Sequence, residues 1–161
     1  MSDADAAGEL ASAIGTVLLA VRAEHGGGDA QTLKDVGDTS AQAVVERWLR
    51  QHFPGDAVLS EEAADSQARL HADRVWIVDP VDGTREYSEP PREDWAVHVA
   101  LCVDGEATIG SVALPARVMT LCTRFPLPPL TPFIGAPPLA CGRPRPTPPP
   151  AVLADPLGRE G

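Results

Sequence analysis

Apolar positions organise the first half of the chain. Leu10, Ile14, Val17, Leu18 and Val21 recur every three or four residues, which predicts an amphipathic helix over 4–24. Gly26-Gly27-Gly28 ends it and opens a loop. Asp38 reads as the N-cap of a second helix, with Val44, Val45, Trp48 and Leu49 on one face and a stop near Phe53, where Pro54-Gly55 follows. Ala57-Val58-Leu59 reads as a short buried strand. Ser60 with Glu61 and Glu62 then resembles a helix cap followed by dipole-favoured acids. Val75-Trp76-Ile77-Val78 is an unbroken apolar run, as a strand buried on both faces would be. Trp95, Val97, Val99, Leu101 and Val103 alternate with other residues and predict a strand over 95–103. Asp104-Gly105 supplies a two-residue hairpin turn, the return strand covers 106–114, and Pro115 stops it. Val118 to Cys122 makes one more strand. Helices followed by a mainly antiparallel sheet give an α+β body.

Composition divides the chain at about residue 123. Twelve of the 17 prolines lie in residues 124–161, which rules out helix or central strand for runs such as Pro126-Leu127-Pro128-Pro129. The expectation is a folded body over 1–123 and an irregular, polyproline-like tail over 124–161. That tail reads equally as a linker or docking arm and as the product of a shifted reading frame. The net charge is −10; the tail's four arginines against two acids leave +2 there and −12 in the body. Such acidity argues against a nucleic-acid polymer or an anionic membrane as partner. No stretch is read as a membrane span, and residues 1–9 lack the basic and apolar regions of a secretory signal. Cys102, Cys122 and Cys141 show no metal-ligand spacing, and a reduced, cytoplasmic setting is expected.

The chemistry concentrates in Asp79-Pro80-Val81-Asp82-Gly83-Thr84, directly after the apolar run. If the strand ends there, both carboxylates point into one space beyond the sheet. Hard oxygen donors so placed suit magnesium, with the Val81 carbonyl as a further ligand. Gly83 lets a phosphate approach the backbone, and a helix beginning near Thr84 would offer it N–H groups. The plain alternative is a surface turn, since Asp, Pro and Gly are ordinary turn residues. Glu61-Glu62 after the preceding strand shifts the balance: adjacent strands would deliver several carboxylates to one end of the sheet, a cluster that needs a cation.

Trp76 to Thr84, with Ser60-Glu61-Glu62 upstream, resembles the inositol monophosphatase superfamily of magnesium-dependent phosphatases over about residues 8–122. Gly83-Thr84-Arg85-Glu86-Tyr87 is similar to the corresponding stretch of its 3'(2'),5'-bisphosphate nucleotidase branch. The resemblance implies the N-terminal half of an αβαβα sandwich. It implies a magnesium-dependent phosphomonoesterase converting 3'-phosphoadenosine 5'-phosphate to AMP and phosphate. An inositol or sugar phosphatase, or a truncated remnant that only binds metal, are the alternatives. By the same resemblance Glu61, Asp79, Val81 (carbonyl) and Asp82 hold Mg2+, and Glu61 also helps hold the attacking water. Thr84 orients that water with Asp38 as its partner, and the Gly83 and Thr84 amides bind phosphate. Asp38 stays open between helix cap and catalytic partner.

Other candidates carry less. His98 falls opposite in parity to the apolar positions and reads as solvent-facing or hydrogen-bonded. His25, His52 and His71 fall at loop or helix-end positions, Trp48 reads as core, and Arg85 fits a phosphate contact and a surface ion pair equally. Glu62 reads as an acid behind the ligands. The family's later Trp-Asp-x-Ala-like stretch has no counterpart here: no Trp follows Trp95, and Asp155 precedes a proline in an unrelated context. A sheet face that a second unit would cover is expected to be exposed and to favour self-association.

Overall fold

The computed structural model describes residues 1–63 and 67–123. The expectations for 124–161 and for Cys141 lie outside them. Helix α1 spans Asp3–His25, and Ser2 and Asp5 form a reciprocal capping box at its start. Its stripe of Leu10, Ile14, Leu18 and Val21 is buried. By length and composition α1 does suffice to cross a membrane, contrary to the sequence reading. Here that stripe is part of the core shared with the sheet.

Helix α2 spans Ala30–His52, nine residues longer at its start than the apolar pattern indicated. Asp29, not Asp38, is the N-cap, accepting the Thr32 amide at 2.8 Å. The first two turns are polar on most sides, but Leu33, Gly37, Ala41, Val45 and Leu49 keep one buried i, i+4 row. Small residues hold that row together, so it left little hydrophobic signal in the sequence.

Five strands follow: β1 (Ala57–Ser60), β2 (Arg74–Asp82), β3 (Ala96–Val103), β4 (Glu106–Leu114) and β5 (Met119–Cys122). They lie in chain order; β1–β2 is parallel and the other pairs are antiparallel. A short helix α3 (Thr84–Tyr87) follows β2, and 3₁₀ turns cover Gln67–His71 and Pro115–Arg117. The β3–β4 turn has Asp104 at φ 51° and Gly105 at φ 81°, the left-handed pair a two-residue hairpin needs. Ser60 caps no helix among the described residues: Glu61 and Glu62 lie in a turn, and the Ser60 hydroxyl donates to Gln42 at 2.7 Å.

The sheet has two unlike faces. Val58, Trp76, Val78, Val97, Val99, Leu101, Ile109 and Ala113 pack with α1 and α2 in one core. Their neighbours in sequence point the other way, where no described helix lies, so Ile77 remains 38% exposed. The apolar run at 75–78 is therefore buried on one face only. Arg74 bridges Asp3 of α1 (3.0 and 3.1 Å) and Asp56 before β1 (3.0 Å), while Trp76 donates its indole N–H to Asp56 at 2.9 Å.

Candidate functional site

The acidic motif is not a turn after a strand; Asp79-Pro80-Val81-Asp82 is the last part of β2 itself. The ladder to β3 continues through it with a bulge. Asp79 pairs with His98 and Asp82 with Ala96, so three steps on β2 match two on β3. Without that extra residue, positions 79 and 82 would fall on opposite faces. The bulge instead turns both carboxylates to the face bearing His98. Asp82 Oδ2 lies 3.7 Å from His98 Nε2, which gives His98 the polar partner its parity suggested.

The parallel ladder delivers Glu61 to the same place. The Glu61 amide donates to the Val78 carbonyl at 3.2 Å, continuing the β1–β2 register one residue past Ser60. Asp79 then has Glu61 on one side and Asp82 on the other. Its carboxyl is held above the ordinary range, first by burial and then by these two charges, against the Val81 amide that donates to it at 3.2 Å. Protonation is thus favoured where like charges meet away from water. Among the described residues, however, no three His, Cys, Asp or Glu side chains converge closely enough to form a ready-made metal site.

Gly83 follows at φ 80° and begins the single turn of α3. A Cβ there would stand 3.3 Å from the Asp94 carbonyl as well as in the left-handed region, so glycine is required. The Thr84 hydroxyl donates to the Val81 carbonyl at 3.0 Å, so that carbonyl is already in use as an acceptor. The expected Thr84–Asp38 partnership is therefore not formed. Asp38 sits inside α2, its Oδ1 buried without a hydrogen-bond partner among the described residues. Burial, then Asp35 and Glu61, push its carboxyl up. Asp38 and Glu62 line one side of a cavity of about 350 Å³ with Gln42 and Glu46, on the α2 side of the acidic rim.

Tyr87 anchors this corner. It is fully buried, donates its hydroxyl to the Leu18 carbonyl at 3.0 Å, and meets Trp95 edge-on at 5.0 Å. Burial pushes its phenol up to about 12. Arg22 lies over both rings and donates to the Arg92 carbonyl at 2.6 Å, fastening the 86–95 segment to α1. The sequence reading quoted Tyr87 only within the 83–87 resemblance, without this packing role, and missed Arg22 and Gln42. The tight Gly37 row facing Tyr87 was the one available signal. Arg85 is engaged with Glu89 at 3.1 Å, as a surface pair. His52 ends α2 with its Nδ1 2.9 Å from the Trp48 carbonyl, and Trp48 packs on the edge of the core.

The sequence model described as the inositol monophosphatase family matches residues 2–124. A 3'-phosphoadenosine 5'-phosphate phosphatase of Mycobacterium leprae is 50% identical over 126 residues, 73% of this chain and 46% of that protein. Its counterpart in Mycobacterium bovis is 56% identical over 108 residues, covering 64% of this chain and 40% of that one. Among solved structures, CysQ from Bacteroides thetaiotaomicron superposes with a TM-score of 0.60 at 26% identity, over 70% of this chain and 42% of that one. The chain thus spans less than half the length of these relatives.

Proposed function

The chain belongs to the inositol monophosphatase family, and on that premise we propose that it carries the N-terminal part of a magnesium-dependent phosphomonoesterase acting on 3'-phosphoadenosine 5'-phosphate. The phosphate donor is argued from the two mycobacterial relatives, which bear that activity in their names. One observation in the fold carries the site: the bulge in β2 that turns Asp79 and Asp82 to one face, beside Glu61.

The donor set fits the ion. Glu61, Asp79, Asp82 and the second lone pair of the Val81 carbonyl are hard oxygens, and the raised Asp79 carboxyl marks a place where positive charge is wanted. When bound, magnesium supplies the charge that acidifies water and draws in phosphate oxygens. The chain's own groups do the positioning. Thr84 has given its proton to Val81, so its oxygen can only accept, and it would orient a water by receiving a hydrogen bond from it. Gly83 and Thr84 precede the first bond of α3, Tyr87 N–H to Gly83 C=O at 2.8 Å, and their amides are placed to receive a phosphate. Asp38, half-buried and with its carboxyl pushed up, stands ready to accept a proton or a hydrogen bond on the α2 side.

Phosphate release by the purified chain in magnesium tests the reading, with 3'-phosphoadenosine 5'-phosphate and inositol 1-phosphate as parallel substrates. The nucleotide should be the faster, and Asp79→Asn should abolish both the release and any magnesium-dependent rise in melting temperature. Faster turnover of inositol phosphate would reject the nucleotide assignment. A magnesium-dependent melting shift with no release would reduce the reading to metal binding alone.

A further inference from the structure

Main-chain bonds place Glu61 and Asp79 at the acidic rim. The Glu61 amide donates to the Val78 carbonyl at 3.2 Å, and the Asp79 carboxylate receives the Val81 amide at 3.2 Å. Asp82 is held differently. It ends β2 beyond the bulge, and its side chain is 56% exposed. Among the described residues its carboxylate has one hydrogen-bonding or ion-pairing partner, His98, whose Nε2 lies 3.7 Å from Oδ2. The neighbouring arginines are turned elsewhere: Arg74 to Asp3 and Asp56, Arg85 to Glu89, and Arg92 to Glu86, Glu89 and Asp94. His98 comes from β3, which is paired on both sides, with β2 and with β4. Its neighbours Val97 and Val99 are buried in the core on the helix side, which directs the imidazole to the face of the two aspartates. In register it stands directly opposite Asp79, and the bulge brings Asp82 to it as well. A ring on a rigid central strand thus borders both carboxylates of the motif.

We propose that His98 is a positioning residue for the metal site: its Nε2–H donates to Asp82 Oδ2 and leaves the other oxygen free for the cation. The inference rests on the phosphatase reading, since it takes Asp82 as a ligand of magnesium. A carboxylate only accepts, so it selects the imidazole form with hydrogen on Nε2, and that N–H donates whether or not the ring is charged. The gap is a short swing of an exposed side chain: closing it by about 1 Å gives an ordinary charge-assisted bond of about 2.8 Å. The ring is not itself a ligand, because magnesium takes oxygen donors and leaves imidazole to softer ions. Without the tie the Asp82 side chain is free to turn, and the cation has to order it on binding. Partners that orient a ligand in this way are worth about 10–100-fold in metal affinity. A pair as open to water as this one belongs at the lower end, about tenfold.

Melting curves of the full chain, stripped of metal and titrated with magnesium chloride, test it. The expected result is a magnesium midpoint about tenfold higher in His98→Ala than in the parent, with little change of melting temperature in chelator. His98→Gln, which keeps an N–H donor at similar reach, should restore most of the parent midpoint. His52→Ala, which removes an imidazole at the end of α2, should leave it unmoved. Phosphate release adds a second readout: the His98→Ala defect should disappear at saturating magnesium, a recovery that a general loss of packing would not show. The midpoints decide the question even in a chain that releases no phosphate. A parent midpoint that His98→Ala leaves in place overturns the role of His98 alone. So does a His98→Gln chain as weak as His98→Ala, or a defect in release that saturating magnesium does not repair. A parent chain with no magnesium response overturns the metal reading of Asp79 and Asp82 first, and this inference with it.

Discussion

Replacing Gly37 by alanine sets two physical effects against each other. In a helix interior the change should stabilise by about 1 kcal/mol, since glycine loses more backbone freedom on folding. In this fold the new methyl would lie 2.7 Å from Tyr87 Cε1 and 3.1 Å from its hydroxyl. The ring has nowhere to go: it is fully buried, edge-on to Trp95 and under Arg22. Overpacking of this kind costs about 1–3 kcal/mol. Displacing the ring also endangers the hydroxyl bond to Leu18, worth about 1 kcal/mol. After subtracting the propensity gain, the net loss is about 1–3 kcal/mol. Urea denaturation of Gly37→Ala beside the parent measures it through the midpoint at constant slope. Tyr87→Leu should relieve most of the added penalty, because the methyl then meets no ring. A Gly37→Ala chain more stable than its parent would refute the reasoning, and with it the claim that Tyr87 fixes the corner carrying Gly83 and Thr84.

Two further outcomes follow from the acidic rim and its turn. Asp79, Asp38 and Glu62 are all held above their ordinary values, burial being the largest cause in each case. The folded chain therefore binds protons more tightly than the unfolded chain, and stability falls as pH rises through the raised folded-state values. In a chelator, the melting temperature should climb as pH falls from 7 toward the ordinary carboxylate range near about 4, and Asp79→Asn should flatten that climb. A melting temperature constant over this range would contradict it. Asp94, held down to about 2 chiefly by Arg92, acts in the opposite sense and loses its contribution only at lower pH. Gly83→Ala should cost about 1–2 kcal/mol for a left-handed alanine, besides the close contact with the Asp94 carbonyl. Chemical denaturation reads that loss, and an unchanged midpoint would show that the turn tolerates a side chain.

Much of the architecture was legible because alternation and turn chemistry agreed. The β3–β4 hairpin, its Asp104-Gly105 turn and the stop at Pro115 fall where the pattern put them. The start of α2 did not, because Gly37 and Ala41 bury a row with almost no hydrophobic side chain. Asp38 was read as a cap on local grounds, while Asp29, before a polar first turn, held that role. The motif at 79–84 was visible as chemistry but misplaced in geometry. A bulge is set by the pairing of two strands, and one strand's sequence does not display it. Tyr87 and Arg22 act through contacts with residues some 70 positions away, beyond any local pattern.

The last described strand closes against the first helix. Thr120 and Ser12 share a hydroxyl contact at 2.9 Å, and the Cys122 thiol reaches the Ala4 carbonyl at 3.2 Å, across 118 positions. During synthesis α1 leaves the ribosome long before β5 exists, and its apolar stripe must wait without its final partner. The hairpin at Asp104-Gly105 can zip within microseconds of emerging, whereas the end-to-end closure carries the greatest loop-entropy penalty and comes last. A nascent chain halted before residue 119 would accordingly keep the apolar stripe of α1 in the core it shares with β2 to β4 and lack the polar ties at Ala4 and Ser12 that pin the start of the helix.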